Sequence, residues 1–482
     1  MQKIDFNKAR KIHFIGIGGI GLSAIAKLML ARGKIVKGSD ANKSEITEEL
    51  KKAGAKIAIV QKAKNLADDT ELVIYTLAIL KNNPERVKAE KMKIPMLAYP
   101  EALAMLFNAK YGIAICGTHG KSTATSMIGL VLAGGGLDPN VVVGSKVPEF
   151  ARFDSSESRR GGNLRIGKGK HFVIEACEYE RAFLEYYPKI IILNNIELDH
   201  TDYYKDIEDY RSAFEEFIGH LSKDGVLICN GDDEQISKLK VQMSNQFQSS
   251  NVKIITFGFG ENNDLRCRKM ETENGFVKFW VNFNNNDFGE FILKLPGKFN
   301  VYNALGAIAA GLHLGIGAEK IKKSLAEFGG IWRRFEIKGN YKGALAISDY
   351  AHHPTAVKAT IEAAREFYPG RRIFAVFQPH QHNRTKMLYK DFLKSFDSAD
   401  ELILAEIFDV AGREDKKDQN VSSRKMAEDI KKRNKKLASN IFYASNLAEA
   451  RKLIDEKIQK GDILLIMGAG DIYKVADGLV EK

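Results

Sequence analysis

Strand-like and helix-like segments alternate along almost the whole of this chain of 482 residues. "KIHFIGIGG" is typical of a strand that runs into a glycine turn, and "GLSAIAKLMLARG" is typical of the helix that follows it. "YGIAIC" opens a second unit of the same kind, and "IFAVFQPH", "ELILAEIF" and "DILLIMGAG" are the strands of a third. Such alternation predicts an α/β protein with mostly parallel sheets, because a helix joins each strand to the next.

The length of the chain indicates two to four domains, since one hydrophobic core rarely serves so many residues. We predict three domains, with boundaries near residues 108 and 330. These domains comprise residues 1–108, 109–330 and 331–482. Residues 252–296 are predicted to form a strand-rich insertion with "NFNNND" as a polar turn.

Composition excludes several classes of protein. No apolar run is long enough to span a membrane, and the N-terminus lacks a signal-peptide pattern, so we expect a cytoplasmic protein without membrane insertion. The formal charge is +12, but the lysines are scattered, so we expect no nucleic-acid partner. The four cysteines are far apart and predict neither a disulfide nor a cysteine metal site.

The stretch "GTHGKST" resembles a phosphate-binding loop but is shorter than the usual one. The usual pattern has a glycine where this chain has Ile115, and here the glycines are Gly117 and Gly120. Backbone amides from Gly117 to Lys121 are expected to wrap phosphate oxygens, with the Lys121 ammonium offsetting their charge. The hydroxyl of Ser122 or Thr123 is expected to reach Mg²⁺. The stretch therefore predicts ATP binding.

Acidic and polar residues follow two buried strands of the same unit. "VIEACEYE" carries Glu175 and Glu178, and "LNNIELDH" carries Asn195, Asp199 and His200. Ligands bind at the carboxyl ends of parallel strands, and Mg²⁺ takes oxygen ligands and tolerates one imidazole. A single such residue is more often satisfied by hydrogen bonds at the sheet edge, but several beside one loop favour a magnesium site.

"GIGGIG" places Gly16, Gly18 and Gly21 in the GxGxxG spacing, and Asp40 ends the next strand. The glycines allow a nucleotide to approach the backbone, and the helix that follows attracts phosphate. This pattern predicts a nucleotide site but does not distinguish NAD from another nucleotide diphosphate.

Two loops of the third unit are rich in basic and polar groups. Clustered arginine and histidine suit phosphates and carboxylates, although each loop alone is weak evidence. "SDYAHHPTAV" supplies Asp349, Tyr350, His352 and His353, and "FQPHQHNRTK" supplies His380, His382 and Arg384.

Taken together and in this order, the motifs resemble those of the Mur ligases. The matching stretches are "HFIGIGGIGLS", "GTHGKST", "NNIELDH", "PGKFNVYNALGA", "RRFE", "DYAHHPT", "FQPHQHNRT" and "GDILLIMGAGDI", which span nearly the whole chain. The resemblance implies a Rossmann-like N-terminal domain for a UDP-sugar, a central P-loop-type ATPase domain and a C-terminal Rossmann-like domain. It implies ATP and Mg²⁺ as cofactors, and UDP-N-acetylmuramate and L-alanine as substrates joined through an acyl phosphate. A monomer and a homodimer both stay open.

The resemblance also implies roles for individual residues. The expected catalytic residues are Lys121, Glu175, His200, Arg334, His352 and His353. The expected metal ligands are Ser122, Glu175 and His200. The expected ATP contacts are Gly117, Thr118, His119, Gly120, Lys121, Ser122, Thr123, Asn300, Asn303, Arg334 and Asp349. The expected contacts to the sugar nucleotide or amino acid are Gly16, Gly18, Gly19, Ile20, Gly21, Asp40, Tyr350, His380 and Arg384.

The chain departs from the family pattern at several positions. Cys177 replaces an acid, Ser348 an aspartate and Phe299 a histidine, Phe214 stands where related ligases carry a carbamylated lysine, and "FDVAGRED" at residues 408–415 lacks the usual tyrosine. Three alternatives stay open: a recycling ligase that attaches a tripeptide to UDP-N-acetylmuramate, an NAD-dependent oxidoreductase, and a nucleotide-binding regulator without activity.

Overall fold

A computed structural model describes residues 6, 8–153, 161–243, 251–273, 275–409 and 421–480. Its strands form three sheets, one in each successive third of the chain, with helices between the strands. The predicted α/β class is confirmed. In the part of the chain that is described, no helix is both long and apolar enough to cross a membrane.

The N-terminal sheet is fully parallel. Its strands are β1 (Lys11–Ile15), β2 (Ile35–Asp40), β3 (Lys56–Ile59), β4 (Leu72–Tyr75) and β5 (Met96–Ala98), and its helices are α1 (Ile20–Ala31), α2 (Glu45–Lys52), α3 (Pro84–Lys91) and α4 (Tyr99–Phe107). The strand order is β3-β2-β1-β4-β5. The central strand β1 is almost wholly buried, as expected of a strand covered on both faces.

The central sheet is the largest and is mixed. Its strands are β6 (Tyr111–Cys116), β7 (Asn140–Val147), β8 (Gly162–Arg165), β9 (His171–Glu175), β10 (Ile190–Leu193), β11 (Val226–Asn230), β12 (Lys253–Gly258), β13 (Leu265–Glu273), β14 (Phe276–Phe283) and β15 (Asn286–Leu293). Its helices are α5 (Lys121–Gly134), α6 (Ile207–Ile218), α7 (Glu234–Gln242), α8 (Lys298–His313) and α9 (Ala318–Glu327). The order is β15-β14-β13-β12-β11-β10-β6-β9-β7-β8, and β13 to β15 pair antiparallel. The predicted strand-rich insertion thus extends one edge of the sheet.

The C-terminal sheet is parallel except at one edge. Its strands are β16 (Glu336–Tyr341), β17 (Ala344–Asp349), β18 (Ile373–Phe377), β19 (Glu401–Ala405), β20 (Ile441–Ala444) and β21 (Ile463–Met467). Its helices are α10 (Pro354–Phe367), α11 (His382–Met387), α12 (Tyr389–Phe392), α13 (Ser423–Arg433), α14 (Leu447–Lys457) and α15 (Tyr473–Leu479). The order is β16-β17-β21-β18-β19-β20, with β16 antiparallel to β17.

Polar contacts join the three sheet units. The Lys146 ammonium of β7 lies 2.8 Å from a Glu49 carboxylate oxygen of α2, and the Asn163 amide donates to the Ser23 hydroxyl at 2.9 Å. Arg384 of α11 pairs with Asp199, which follows β10. The boundaries near residues 108 and 330 stay a prediction; they fall between the sheets.

Candidate active site between the domains

The compact loop connects β6 to α5 and depends on two glycines in left-handed conformations. Gly117 has φ +128° and Gly120 has φ +80°. A Cβ atom at Gly120 would lie 2.3 Å from the side-chain oxygen of Asn303, and one at Gly117 would lie 2.8 Å from the Asn195 carbonyl. Only glycine fits this path, which leaves the N-terminus of α5 open to an anion.

We predict that Gly120→Ala weakens ATP binding, because the left-handed backbone costs about 1–2 kcal/mol and the contact with Asn303 moves the loop as well. Gly136→Ala is the matched control. Gly136 has φ +90°, and no described atom lies within 4 Å of its added Cβ, so it carries the backbone cost without touching the loop. Titration with ATP should show a loss of affinity for Gly120→Ala alone. Equal affinities for the two variants would contradict this role of the loop.

Lys121 folds back over the loop that precedes it. Its ammonium donates to the carbonyls of Gly117 at 2.6 Å and Thr118 at 3.2 Å, and it lies 3.0 Å from both Glu178 carboxylate oxygens. Burial lowers the pKa of Lys121, but Glu178, Cys177 and Glu175 together outweigh this effect and the net pKa is raised. Lys121 is therefore a fixed positive charge at the loop.

Ser122 and Glu175 form the oxygen pair beside this charge. The Ser122 hydroxyl donates to a Glu175 carboxylate oxygen at 2.6 Å. Burial raises the pKa of Glu175, and Ser122, Lys121 and Arg334 offset this only in part. A hydroxyl and a half-buried carboxylate at this distance suit a hard cation, whose charge would stabilise the ionised carboxylate.

His200 lies beside Glu178, whereas Glu175 lies beside Ser122. The His200 Nε2 is 3.5 Å from a Glu178 oxygen, which also accepts a hydrogen bond from Tyr210 at 3.1 Å. Burial raises the pKa of Glu178, but Lys121 and His200 bring it down to about 2. Of the three predicted metal ligands, Ser122 and Glu175 are thus paired with each other, whereas His200 is paired with Glu178. Against the effect of burial, the Lys121 charge acts to lower the pKa of both carboxylates.

The segment that follows β10 forms hydrogen bonds to the compact loop. The Asn195 side-chain oxygen accepts from the His119 amide at 2.8 Å, and the Thr118 hydroxyl donates to the Glu197 carbonyl at 2.7 Å. The His119 Nε2 lies 2.8 Å from a Glu197 carboxylate oxygen. Burial raises the pKa of Glu197, but His119, His353 and Thr355 bring it to about 2.

The two asparagines expected on the ATP side lie at the start of α8. The Asn303 amide donates to the Asn300 side-chain oxygen at 3.3 Å, and Asn194 donates to Asn303 at 3.3 Å. Both Asn300 and Asn303 are buried, as is Thr123. Asn303 thereby borders the loop at Gly120.

The C-terminal domain contributes an arginine pair around one aromatic ring. The guanidinium carbons of Arg333 and Arg334 lie 4.7 and 4.8 Å from the centre of the Tyr350 ring. Asp349 accepts from the amides of Phe335 and Ala351, both at 2.7 Å. Burial raises the pKa of Asp349, and Arg334 partly offsets this effect.

The histidine loops meet the central domain at Asp199. The Arg384 Nε donates to an Asp199 oxygen at 2.9 Å, and the His352 Nε2 lies 3.9 Å from the other oxygen. His380 Nδ1 is 3.1 Å from an Arg384 nitrogen, and His353 caps α10. The structure therefore brings His352, His380 and Arg384 together at Asp199, whereas His382 pairs with Asp409.

Protonation of His380 makes the stability of the folded protein depend on pH. Burial and the Arg384 charge lower the pKa of His380 to about 4, although Asp199 and Asp409 act in the opposite direction. The folded ring is then neutral, whereas the unfolded ring binds a proton below about pH 6.5. We predict that the unfolding free energy contributed by His380 is lost as the pH falls from 6.5 to 4. The unfolding free energy, measured with urea at several pH values in this range, should depend less steeply on pH in His380→Asn, by about one proton. An unchanged pH dependence would contradict this.

The glycine turn of the N-terminal domain follows β1 as predicted. Asp40 accepts a hydrogen bond from the Gly18 amide at 2.8 Å. A Cβ atom at Gly21 would lie 2.7 Å from the Tyr99 hydroxyl. Burial raises the pKa of the same tyrosine, and the nearby Glu175 and Cys177 groups raise it further. Tyr99 therefore lies between the glycine turn and the central site. The remaining predicted residues of the turn are Gly16 with φ +80°, Gly19 at the start of α1, and Ile20 in its first turn.

Four residues near the site were not assigned roles from the sequence. Glu178, Glu197 and Asp199 belong to the acidic stretches that we noted, but spacing does not tell which acid faces Lys121, His119 or Arg384. Tyr99 has no sequence signal at all, because its role depends on how two domains pack.

The departures from the family pattern differ in their surroundings. Cys177 is exposed and presents a thiol where an acid is usual. Phe214 is buried against Phe183 and Tyr210. Ser348 is buried, Phe299 is partly exposed, and "FDVAGRED" falls outside the described residues from Val410 onward.

Three family models match the chain in succession. They are the Mur ligase family catalytic domain at residues 11–111, the Mur ligase middle domain at residues 115–311, and the Mur ligase glutamate ligase domain at residues 333–470. A UDP-N-acetylmuramate–L-alanine ligase from Sulfurihydrogenibium sp. is 42% identical over 474 residues, which cover 98% of each chain.

Solved structures give the same result. The crystal structure of the UDP-N-acetylmuramate–alanine ligase MurC from Thermotoga maritima superposes with a TM-score of 0.80, at 29% identity over 98% of both chains. A murein peptide ligase from Psychrobacter arcticus superposes with a TM-score of 0.71 at 23% identity, also over 98% of both chains, which shows the shared fold. Since the family models and the relative cover nearly every residue, including the loop, the acidic strand ends and the histidine loops, this chain belongs to the Mur ligase family.

Proposed function

We propose that the chain joins L-alanine to the lactyl carboxylate of UDP-N-acetylmuramate, with conversion of ATP to ADP and phosphate, in peptidoglycan precursor synthesis. The observation that carries the proposal is the compact loop with Lys121 at its centre and the Ser122–Glu175 pair at 2.6 Å beside it. Curated relatives that are about 40% identical over nearly the full chain have the name UDP-N-acetylmuramate–L-alanine ligase.

The chemistry needs two steps, because a carboxylate is a poor electrophile. The γ-phosphoryl group of ATP is first transferred to a carboxylate oxygen: a new P–O bond forms and the bond to the β-phosphate oxygen breaks. The alanine nitrogen then attacks the acyl carbon, loses a proton and displaces phosphate. Lys121 and the loop amides offset the charge on the transferring group, which is the main contribution that a protein makes to phosphoryl transfer.

Ser122 and Glu175 would hold Mg²⁺, because they present a hydroxyl and a half-buried carboxylate to the end of the loop. His200, beside Glu178, would serve a second ion. Bound Mg²⁺ supplies positive charge to the phosphate oxygens. Arg334 and Asp349 would complete the ATP site from the C-terminal domain. His352, His353, His380, Arg384 and Tyr350 would face the acyl phosphate and the amino acid.

Phosphate release from ATP and Mg²⁺ tests the proposal. The reaction is run with UDP-N-acetylmuramate and, in turn, L-alanine, glycine, L-serine or the tripeptide. Release that requires both the sugar nucleotide and L-alanine is the expected result. Release with the tripeptide alone would identify a recycling ligase, and no release with any acceptor would favour a regulator without activity.

The N-terminal glycine turn is proposed to bind the UDP-sugar rather than NAD. A change in NADH fluorescence on mixing, with no binding of the UDP-sugar, would favour the oxidoreductase alternative. The cytoplasmic location and the choice between monomer and homodimer stay predictions.

A further inference from the structure

A second group of side chains that could bind a metal ion includes none of Ser122, Glu175 and His200. It comprises His119 of the compact loop, Glu197 after β10, and His353 at the start of α10. The His119 Nε2 is 2.8 Å from a Glu197 oxygen, and the His353 Nδ1 is 3.8 Å from the same oxygen. One ligand atom from each residue lies within 4.8 Å of the others. The central and C-terminal domains thus share the cluster.

The cluster has a buried polar atom that the protein itself does not satisfy. His353 is 3% exposed, and its Nε2 has no hydrogen-bond partner among the described residues. Its Nδ1 accepts only a long hydrogen bond, 3.4 Å, from the Thr355 amide. The nitrogen that faces Glu197 is this Nδ1, at 3.8 Å, and because its hydrogen bond to Thr355 is long, its lone pair is open to a metal ion.

The carboxylate is held in an orientation that suits coordination. The Thr355 hydroxyl donates to one Glu197 oxygen at 2.5 Å, which leaves the other oxygen facing His119 and His353. Hydrogen bonds of this kind fix the ligands of metal sites in position. The arrangement therefore presents two imidazoles and one oriented carboxylate oxygen.

We propose that His119, Glu197 and His353 bind one transition-metal ion such as Zn²⁺ at the boundary between the central and C-terminal domains. Two histidines, one glutamate and an open position are a common zinc ligand set, whereas Mg²⁺ prefers oxygen ligands alone. The ligand separations of 2.8 and 3.8 Å lie on either side of the roughly 3.3 Å expected between two ligands of a tetrahedral ion.

Binding at this position links two parts of the enzyme. His119 belongs to the ATP loop and His353 to α10, so one ion would join the loop to the C-terminal domain. The ion would therefore add to the contacts that hold the domains together. It would also restrain the compact loop against any movement that ATP binding requires.

Cobalt titration of the full-length protein tests the site. Co²⁺ is added without nucleotide and with excess Mg²⁺, and the visible absorption of the bound ion is recorded. The expected result is saturation at one Co²⁺ per chain and loss of the band on addition of Zn²⁺. His119→Gln and His353→Gln should each lower the affinity about 100-fold.

Two histidine controls make the test specific. His200→Asn alters the predicted magnesium site, and His382→Asn alters another histidine–carboxylate pair, the one with Asp409 at 2.7 Å. Both should retain the band with unchanged affinity. Circular dichroism establishes that each variant is folded, and either of the two cluster variants suffices if the other does not fold. Loss of the band in His200→Asn, or its retention in a folded cluster variant, would overturn the proposal.

Discussion

Lys121→Ala is expected to lower phosphate release by about 10²–10³-fold while binding of the UDP-sugar stays unchanged. Lys121 is the fixed positive charge at the compact loop, which is proposed to bind ATP, and the glycine turn proposed for the sugar nucleotide lies in the N-terminal domain. Phosphate release and calorimetric titration with the UDP-sugar measure the two effects separately. A loss of sugar-nucleotide affinity of similar size would contradict the division into two sites.

The same substitution is expected to destabilise the fold, because it leaves Glu178 buried without its ammonium partner. The Glu178 side chain is 0% exposed, and removal of one member of a buried ion pair costs about 3–5 kcal/mol. The double variant Lys121→Ala/Glu178→Gln also removes the negative charge of Glu178, which Lys121→Ala alone leaves without its partner. It should recover much of the unfolding free energy and none of the turnover. Recovered turnover would mean that Lys121 acts only by holding Glu178.

The sequence was sufficient to predict the fold, because each sheet is built from apolar strands that alternate with helices. It also predicted the turn between β6 and α5 and two buried strands followed by acidic and polar residues, which are β9 and β10. That this turn binds phosphate stays a prediction. The pairing of side chains at the ends of these strands was not predictable. Glu178 follows β9 by only a few residues, yet a single turn decides that it, and not Glu175, faces Lys121 and His200.

The contacts between domains could not be predicted from the sequence either. Asp199 and Arg384 are 185 residues apart, and neither strand periodicity nor spacing encodes how two separately folded units dock. The same holds for Tyr99, which lies beside Gly21 of its own domain and beside the central site. The resemblance to Mur ligases predicted a site assembled from several domains but not these contacts.

Asp199→Asn is expected to lower kcat/KM by about 10²–10³-fold, although Asp199 is not predicted to touch a substrate. The Asp199 and Arg384 side chains are only 7% and 6% exposed, and they pair across the boundary between the central and C-terminal domains. Breaking a buried pair costs about 3–5 kcal/mol, and each 1.4 kcal/mol is tenfold in an equilibrium constant. The cost reduces the population of docked domains, which the reaction requires in order to align its groups.

Small-angle X-ray scattering distinguishes this cost from a general loss of stability. Arg372→Gln is the matched control, because Arg372 pairs with Asp462 at 2.7 Å inside the C-terminal domain. Both variants should lower the unfolding temperature, but only Asp199→Asn should increase the radius of gyration. Arg384→Gln should increase the radius of gyration as Asp199→Asn does, but kcat/KM should fall further, because Arg384 is also proposed to face the acyl phosphate. The double variant should lose less than the sum, because the two groups share one contact. An unchanged radius of gyration and an unchanged kcat/KM in Asp199→Asn would show that the domains dock without this pair, and that the remaining contacts, such as Thr355 with Glu197, are sufficient.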